Sequence, residues 1–530
     1  MLSQFYESLR HVRGIAVLDG AQEIEPYRPD TGGATRYPSG VLRVTDVAAV
    51  PRILEAANTH GVPLWPISGG RNFGYGTAQA VKPGSVVVDL SPLKRIEIDT
   101  DAAVARIQPG VCQHDLEQAI ARAGARLLVP TTGVGPNGNI LGNALDGGYG
   151  LTPIVDHFEA VSELEGYWGN GKSFRHAYKD LRCSDLAERW RVGTGPYWGG
   201  LLRQGSFGVV TQATVQLARV PEDCRILIFE WASDACFEGS QTALNRIVED
   251  IPGIGGIIMM NDFRILATQP DAPLSTSRRG VERVDFLSSE AARRKISSWT
   301  ALGTLYGSRQ AVKGAVRDIR RRVKGCRIWS FSTREVRLLQ GLFKALPNRF
   351  FPSLRRHLGS LVNALGTVEG VPITAFLRIA YALEKNPRPL DISAHPARDG
   401  QGILWYAPLL PFTPQAVRCY REIMGEVLAR HGFDALLAVT SRSPRVLSAT
   451  IPLLFDPSNP EEVGRARDCY RDLVSSGLRR GWPPYRLGVD YMDLIGAEEG
   501  SEQSELHQRL KAALDPNNVI APGRYSGVRH

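Results

Sequence analysis

SGGRNFGYG, residues 68–76, is the stretch whose reading decides the fold. Its glycines permit positive φ and close approach of a ligand to the backbone, so it reads as a loop whose consecutive N–H groups cradle phosphate. The flanking sequence says which kind of loop. Residues 51–60, PRILEAANTH, read as a helix with Pro51 in its first turn and Gly61 to close it. VPLWPI, residues 62–67, reads as a strand, and GSVVVDLSPL, residues 84–93, as another through its β-branched run. A Rossmann site needs a strand, a GxGxxG turn and a helix whose N-terminus meets the pyrophosphate. Here the glycine loop joins two strands, and no GxxxxGK[ST] occurs anywhere. The expectation is a phosphate-binding fold of another kind.

Working outward, the chain continues with a strand AVARIQPG ending at Gly110, a helix over residues 112–124 and a strand over 126–130. Two further glycine-dense blocks follow: GNILGNALDGGYGLTPIVDHFEAV at 138–161 and GTGPYWGGLLRQGSFGVVTQATVQL at 193–217. Three such loops separated by strands suggest an extended ligand threaded past several backbone turns. From about Pro221 the glycine density falls and strands alternate with longer helices. DFLSSEAARRKISSWTALGTLYG, residues 285–307, and TPQAVRCYREIMGEVLARHGF, residues 413–433, both read as helical. The last stretch carries a helix and a turn-rich tail that could return to the first domain.

The bulk numbers agree with a folded enzyme. At 530 residues the chain exceeds one hydrophobic core, and 43% apolar with 22% charged residues is ordinary globular composition. No signal peptide or membrane span is legible, so a cytoplasmic protein is expected. The seven cysteines are scattered and never in CxxC spacing, and the ten histidines form no HxxxH or HxH pair. Core thiols are expected, with neither disulfides nor a metal site. The net charge of +9 comes without a nucleic-acid-binding motif, so no nucleic-acid partner is expected. Its densest stretch, residues 311–327, has Val312, Val316, Ile319 and Val323 at helical spacing with basic residues opposite, and reads as a solvated amphipathic helix or a docking face for an acidic protein or anionic substrate.

Taken together, PISGGRNFGYG, LGNALDGGYGLTPIVDHF, the GSFGVVT block, PPYR at 483–486 and LDPNNVIAPGRYSG near the end resemble the vanillyl-alcohol oxidase and p-cresol methylhydroxylase family of FAD flavoproteins. The resemblance implies an α+β chain. It divides into an FAD-binding domain of two α/β subdomains over 1–220, an α+β cap over 221–475, and a C-terminal segment, 476–530, returning to the active site. It implies that Pro66, Ser68, Gly69, Gly70, Arg71, Asn72 and Gly74 face FAD. Gly142, Asn143, Gly147 and Gly148 would lie beside the flavin, Asp156 and His157 near the dinucleotide, and Gly208 and Val209 in the third block would also touch the cofactor.

Tyr75 and Tyr485 match the tyrosines that hold a phenol oxygen in that family. Arg486 matches the arginine beside the flavin pyrimidine, Asp146 a carboxylate near the flavin, and Arg524 an extra arginine at the phenolate site. Arg486 and Arg524 thus also count as cofactor residues. The implied reaction is hydride transfer from the benzylic carbon of a para-substituted phenol to FAD, with oxygen or a cytochrome as electron acceptor and a homodimer as the implied assembly. The implied product is hydroxylated or desaturated.

This chain departs from the pattern in two places. The family's flavin-linking histidine falls on Ile403, and other linking positions hold Arg71, Asn72 and Ala144, so noncovalent FAD is expected, with Tyr406 as a candidate for covalent attachment. The cap histidine of the substrate pocket falls on Ser448 or Ala449, and the cap's own histidines are His357, His395 and His431. Two alternatives stay open: the same fold acting on a sugar or alkaloid-like alcohol, and a flavin-binding protein without turnover.

Overall fold

The computed structural model describes the chain except residues 34–35, 270, 346–360, 363, 367, 497, 499 and 526–530. His357 lies outside the described residues. Leu2–Arg10 packs with Val50–His60 against a four-stranded sheet in the order Ile15–Leu18, Gly40–Val44, Val86–Asp89, Leu64–Ile67. Val50–His60 forms as its sequence predicts: Ile53, Leu54, Ala56 and Ala57 make one buried stripe. Gly61 closes the helix in the left-handed conformation at φ 62°. Leu64–Ile67 and Val86–Asp89 pair in parallel, so the glycine loop of residues 68–76 emerges at the carboxyl end of the edge strand.

A second, antiparallel sheet runs Ile96–Asp99, Val104–Ile107, Gly208–Gln216, Val161–Trp168, Ser173–Phe174. The helices Gln113–Arg122 and Ile140–Leu145 lie over it, sharing its core through Leu116, Ile120, Ile140 and Leu141. The second and third glycine blocks flank these strands.

Residues 223–455 build an eight-stranded sheet in the order Arg327–Ser332, Asp223–Trp231, Trp299–Gly307, Ile254–Asn261, Ala438–Ser441, Val446–Phe455, Gly402–Tyr406, with Leu409–Pro411 also on Val446–Phe455. The expected long helix over 285–307 is corrected. Helix Gly280–Arg293 stops there, and Trp299–Gly307 is a central strand paired on both sides, because Trp299, Ala301 and Leu305 alternate into a core where Trp299 stacks on Phe237 at 3.9 Å. The predicted basic helix is Arg309–Arg322, which buries Val312, Val316 and Ile319. Cys112, Cys224 and Cys469 are buried thiols, but Cys183 and Cys236 sit on exposed short segments, correcting the expectation that all seven are core residues.

The tail returns to the first sheet. Leu64 donates its N–H to the Val519 carbonyl at 2.7 Å, and Ala521 donates to Leu64 at 2.8 Å. No helix among the described residues is long and apolar enough to cross a membrane.

Candidate functional site

A cavity of about 440 Å³ lies where the two smaller sheets, the eight-stranded sheet and the tail meet. That is within the range of small-molecule sites. Of the site residues expected from sequence, all line it except Gly74, Gly147, Asp156 and His157. These four stand behind its wall, each for a visible reason. Gly74, at φ 78°, leaves room for the Trp405 indole, which would otherwise collide with its Cβ. Gly147 turns the chain at φ 71° beneath Arg203. Asp156 is held by Arg442 Nη2 at 2.6 Å, and His157 Nδ1 meets Asn143 Oδ1 at 2.7 Å.

The polar centre of the cavity is Tyr75, Tyr485 and Arg486. The Arg486 guanidinium lies 3.8 Å from the Tyr75 ring centroid and 5.3 Å from that of Tyr485. Burial pulls this cation down, but Tyr485, Tyr75 and Asp146 outweigh burial and hold it above its ordinary value. Burial raises both tyrosines, against the opposing charge of Arg486. At neutral pH the cluster therefore offers two intact phenolic O–H donors and a fixed positive charge.

A second layer orients these groups. Arg486 Nη1 donates to Asn72 Oδ1 at 3.4 Å, and Asn72 Nδ2 donates to Asp146 at 3.3 Å. Gln204, itself at φ 54°, donates to the carbonyls of Tyr485 at 2.9 Å and Asp146 at 3.2 Å. Arg524 lines the cavity as expected, but its guanidinium is taken by the Asp146 carboxylate. Tyr75 and Tyr485 thus share Arg486, whereas Arg524 belongs to the Asp146 side of the network.

Sequence reasoning missed four participants. Tyr149 packs edge-on to Tyr485 at 5.8 Å and lies under Arg442 at 4.3 Å. It repeats the Gly-Tyr-Gly of residues 74–76 at 148–150, a signal that could have found it. Trp405, Gln204 and Arg264 carried no such signal. Tyr406 is corrected as an attachment candidate. Ile403 and Trp405 face the cavity, so Tyr406, on the opposite face of the same strand, points into the core against Tyr470.

The dinucleotide implied by the resemblance fits this channel. Thr131 Oγ1, Gln79 Oε1 and Arg486 Nε are buried without hydrogen-bond partners among the described residues, and all three residues line the cavity. Buried polar atoms are paired as a rule, so three of them along one channel call for a polar ligand. The glycine loops at 68–76 and 138–150 supply main-chain walls beside them. Among the described residues no group of three His, Cys, Asp or Glu could hold a metal ion.

Comparison with known proteins gives the same picture. Residues 38–175 match the FAD binding domain family. The chain is similar to the 1'-carboxy-chondrochloren decarboxylase of Chondromyces crocatus, 27% identical over 94% of this chain and 92% of that protein. It is also similar to the 4-cresol dehydrogenase [hydroxylating] flavoprotein subunit of Pseudomonas putida, 25% identical over 97% of this chain and 92% of the subunit. In three dimensions it superposes on p-cresol methylhydroxylase with substrate bound at a TM-score of 0.85 and 23% identity, covering 99% of this chain and 96% of the other.

Proposed function

We propose that this FAD-dependent oxidoreductase, which carries its FAD-binding domain within the fold of p-cresol methylhydroxylase, takes a hydride from the benzylic carbon of a para-substituted phenol. The observation that carries this reading is the shared contact of Tyr75, Tyr485 and Arg486 in the cavity. FAD, bound along the glycine loops, supplies the hydride acceptor.

A free phenol ionises near pH 10, so at neutral pH the site must favour the phenolate to activate the ring. Tyr75 and Tyr485 donate O–H bonds to the phenolate oxygen, and Arg486 supplies the counter-charge, in a pocket where charge-assisted hydrogen bonds are strong. Phenolate pushes electron density to the para carbon, and hydride loss leaves the substrate as a quinone methide. Asp146, held by Arg524 and Asn72, fixes Asn72 against Arg486 and so positions the cation. Apolar Ile403, Ile258 and Trp405 also line the cavity and exclude water from the para side chain.

The quinone methide then adds water to give an alcohol or loses a proton to give an alkene. A third outcome is suggested by the relative named as a decarboxylase. Where the carbon next to the benzylic one carries a carboxylate, its bond to CO2 breaks, the electron pair forms the alkene and the ring regains its phenolate. Electrons leave to oxygen or to a protein acceptor, for which the basic helix Arg309–Arg322 offers a face.

Anaerobic mixing of the FAD-loaded protein with 4-alkylphenols and 4-hydroxybenzyl alcohols tests the reading. Bleaching of the yellow flavin band is expected. Bleaching by sugars or alkaloid-like alcohols instead would move the substrate to another class, and a band that no substrate bleaches would make this a flavin-binding protein without turnover.

A further inference from the structure

We propose that Arg264 anchors a carboxylate on the para side chain of the substrate, which makes the substrate class a phenol with an anionic tail. The inference rests on the phenol reading above.

Arg264 is only 7% exposed, yet its Nε and Nη1 have no hydrogen-bond partner. No carboxylate among the described residues lies within ion-pair distance of it. Among those residues the other arginine more than nine-tenths buried is Arg378, which has both Glu384 and the Arg388 carbonyl. Partly buried cations elsewhere are also paired: Arg283 with Asp434, Arg442 with Asp156 and Lys179 with Glu163. A buried cation without a partner is costly, and the cost falls away when a ligand brings the anion. Burial draws the Arg264 guanidinium down to about 10, which still leaves it charged at neutral pH.

Its position selects the ligand. Arg264 sits in the helix Asp262–Ala267, held at its N-terminus by Asn261, directly after the strand Ile254–Asn261. It lines the cavity next to a strand of the eight-stranded sheet, and its guanidinium lies 5.0 Å from the Trp405 ring. Trp405 in turn seats on Gly74, the neighbour of Tyr75. Tyr149, whose charge acts on the Arg264 guanidinium, packs against Tyr485. Arg264 therefore shares the cavity with both tyrosines of the phenol pocket, so a para substituent that reaches it can bring the anion it lacks. A guanidinium fork suits a carboxylate, which accepts two parallel bonds.

The test uses holoenzyme with its FAD reduced by dithionite, so that ligands bind without turnover. Calorimetry compares 3-(4-hydroxyphenyl)propionate, its methyl ester and 4-propylphenol on wild type, Arg264→Met and Arg264→Lys. The acid is expected to bind wild type about ten- to a hundredfold more tightly than the ester or 4-propylphenol, as for a hydrogen bond to a charged group. Arg264→Met should abolish that preference while ester binding and FAD content stay unchanged, and Arg264→Lys should keep part of it. Equal binding of acid and ester to wild type, or a preference that survives Arg264→Met, overturns the anchor while binding of 4-propylphenol upholds the phenol reading. Loss of FAD from both variants would assign the arginine to the cofactor and overturn the proposal. If wild type binds none of the three, the phenol reading falls and the anchor falls with it.

Discussion

Tyr75 stands between Gly74 and Gly76, and each glycine admits a different neighbour. At Gly74 a side chain would occupy the Trp405 indole, and at Gly76 it would meet Val489. Both positions also hold positive φ, at 78° and 114°. Gly74→Ala is therefore expected to cost about 2–4 kcal/mol, from backbone strain and overpacking together. A urea titration checks the stability, and Trp405 fluorescence should shift with it. At Tyr485 the expectation concerns chemistry rather than folding. Tyr485→Phe removes one donor to a phenolate, so kcat/KM for 4-alkylphenols should fall about ten- to a hundredfold while FAD content is unchanged. Indifference to this change would move the substrate away from phenols.

At the scale of elements, the strand Gly402–Tyr406 shows how period-two alternation sorts function from packing. Ile403 and Trp405 face the cavity, whereas Leu404 and Tyr406 enter the core. The Tyr406 hydroxyl has no partner there. Tyr406→Phe is expected to leave FAD content unchanged and to leave stability equal or raise it by up to about 1 kcal/mol, since an unsatisfied buried hydroxyl is lost. FAD should also appear in the supernatant when the protein is acid-precipitated, because the resemblance puts Ile403, which cannot form a link, at the attachment position; flavin that stays with the pellet would contradict this. The helix Arg309–Arg322 was legible from its apolar stripe. The strand Trp299–Gly307 was not, because nine residues of mixed character satisfy helical and strand patterns alike until partners on both sides exist.

For the molecule as a whole, the buried His157 in the second glycine block ties stability to pH. Burial lowers the His157 imidazole to about 4, and its nearby charges, Asp156 and Arg442, act in opposite directions. The unfolded chain binds a proton near pH 6.5, the folded chain only near 4, so between those values the unfolded state holds more protons. Stability should be full above about pH 6.5 and fall by about 3 kcal/mol as pH drops toward 4. Urea midpoints measured at stepped pH check this, and His157→Gln should flatten the slope in that window. His395, lowered to about 4 by burial and by Arg71 and Arg398, adds in the same direction.

By itself the sequence determined what short-range patterns can encode. The glycine loop between two strands excluded a Rossmann site, and the three glycine blocks and PPYR near the tail supplied residues that line one cavity. Apolar stripes predicted the helices Val50–His60, Pro414–Arg430 and Arg309–Arg322. Only the tertiary structure decided which distant residues meet: Arg442 reaches Asp156 across 286 positions, and Gln204 ties the Asp146 turn to Tyr485. It also turned Arg524 to Asp146, sent Tyr406 into the core and left Arg264 on the cavity wall with no carboxylate partner among the described residues. The physical reason is that helical and strand periodicities are local, whereas burial and pairing of a charge depend on every segment packed around it. A buried arginine without a partner has no signature until the fold removes the water.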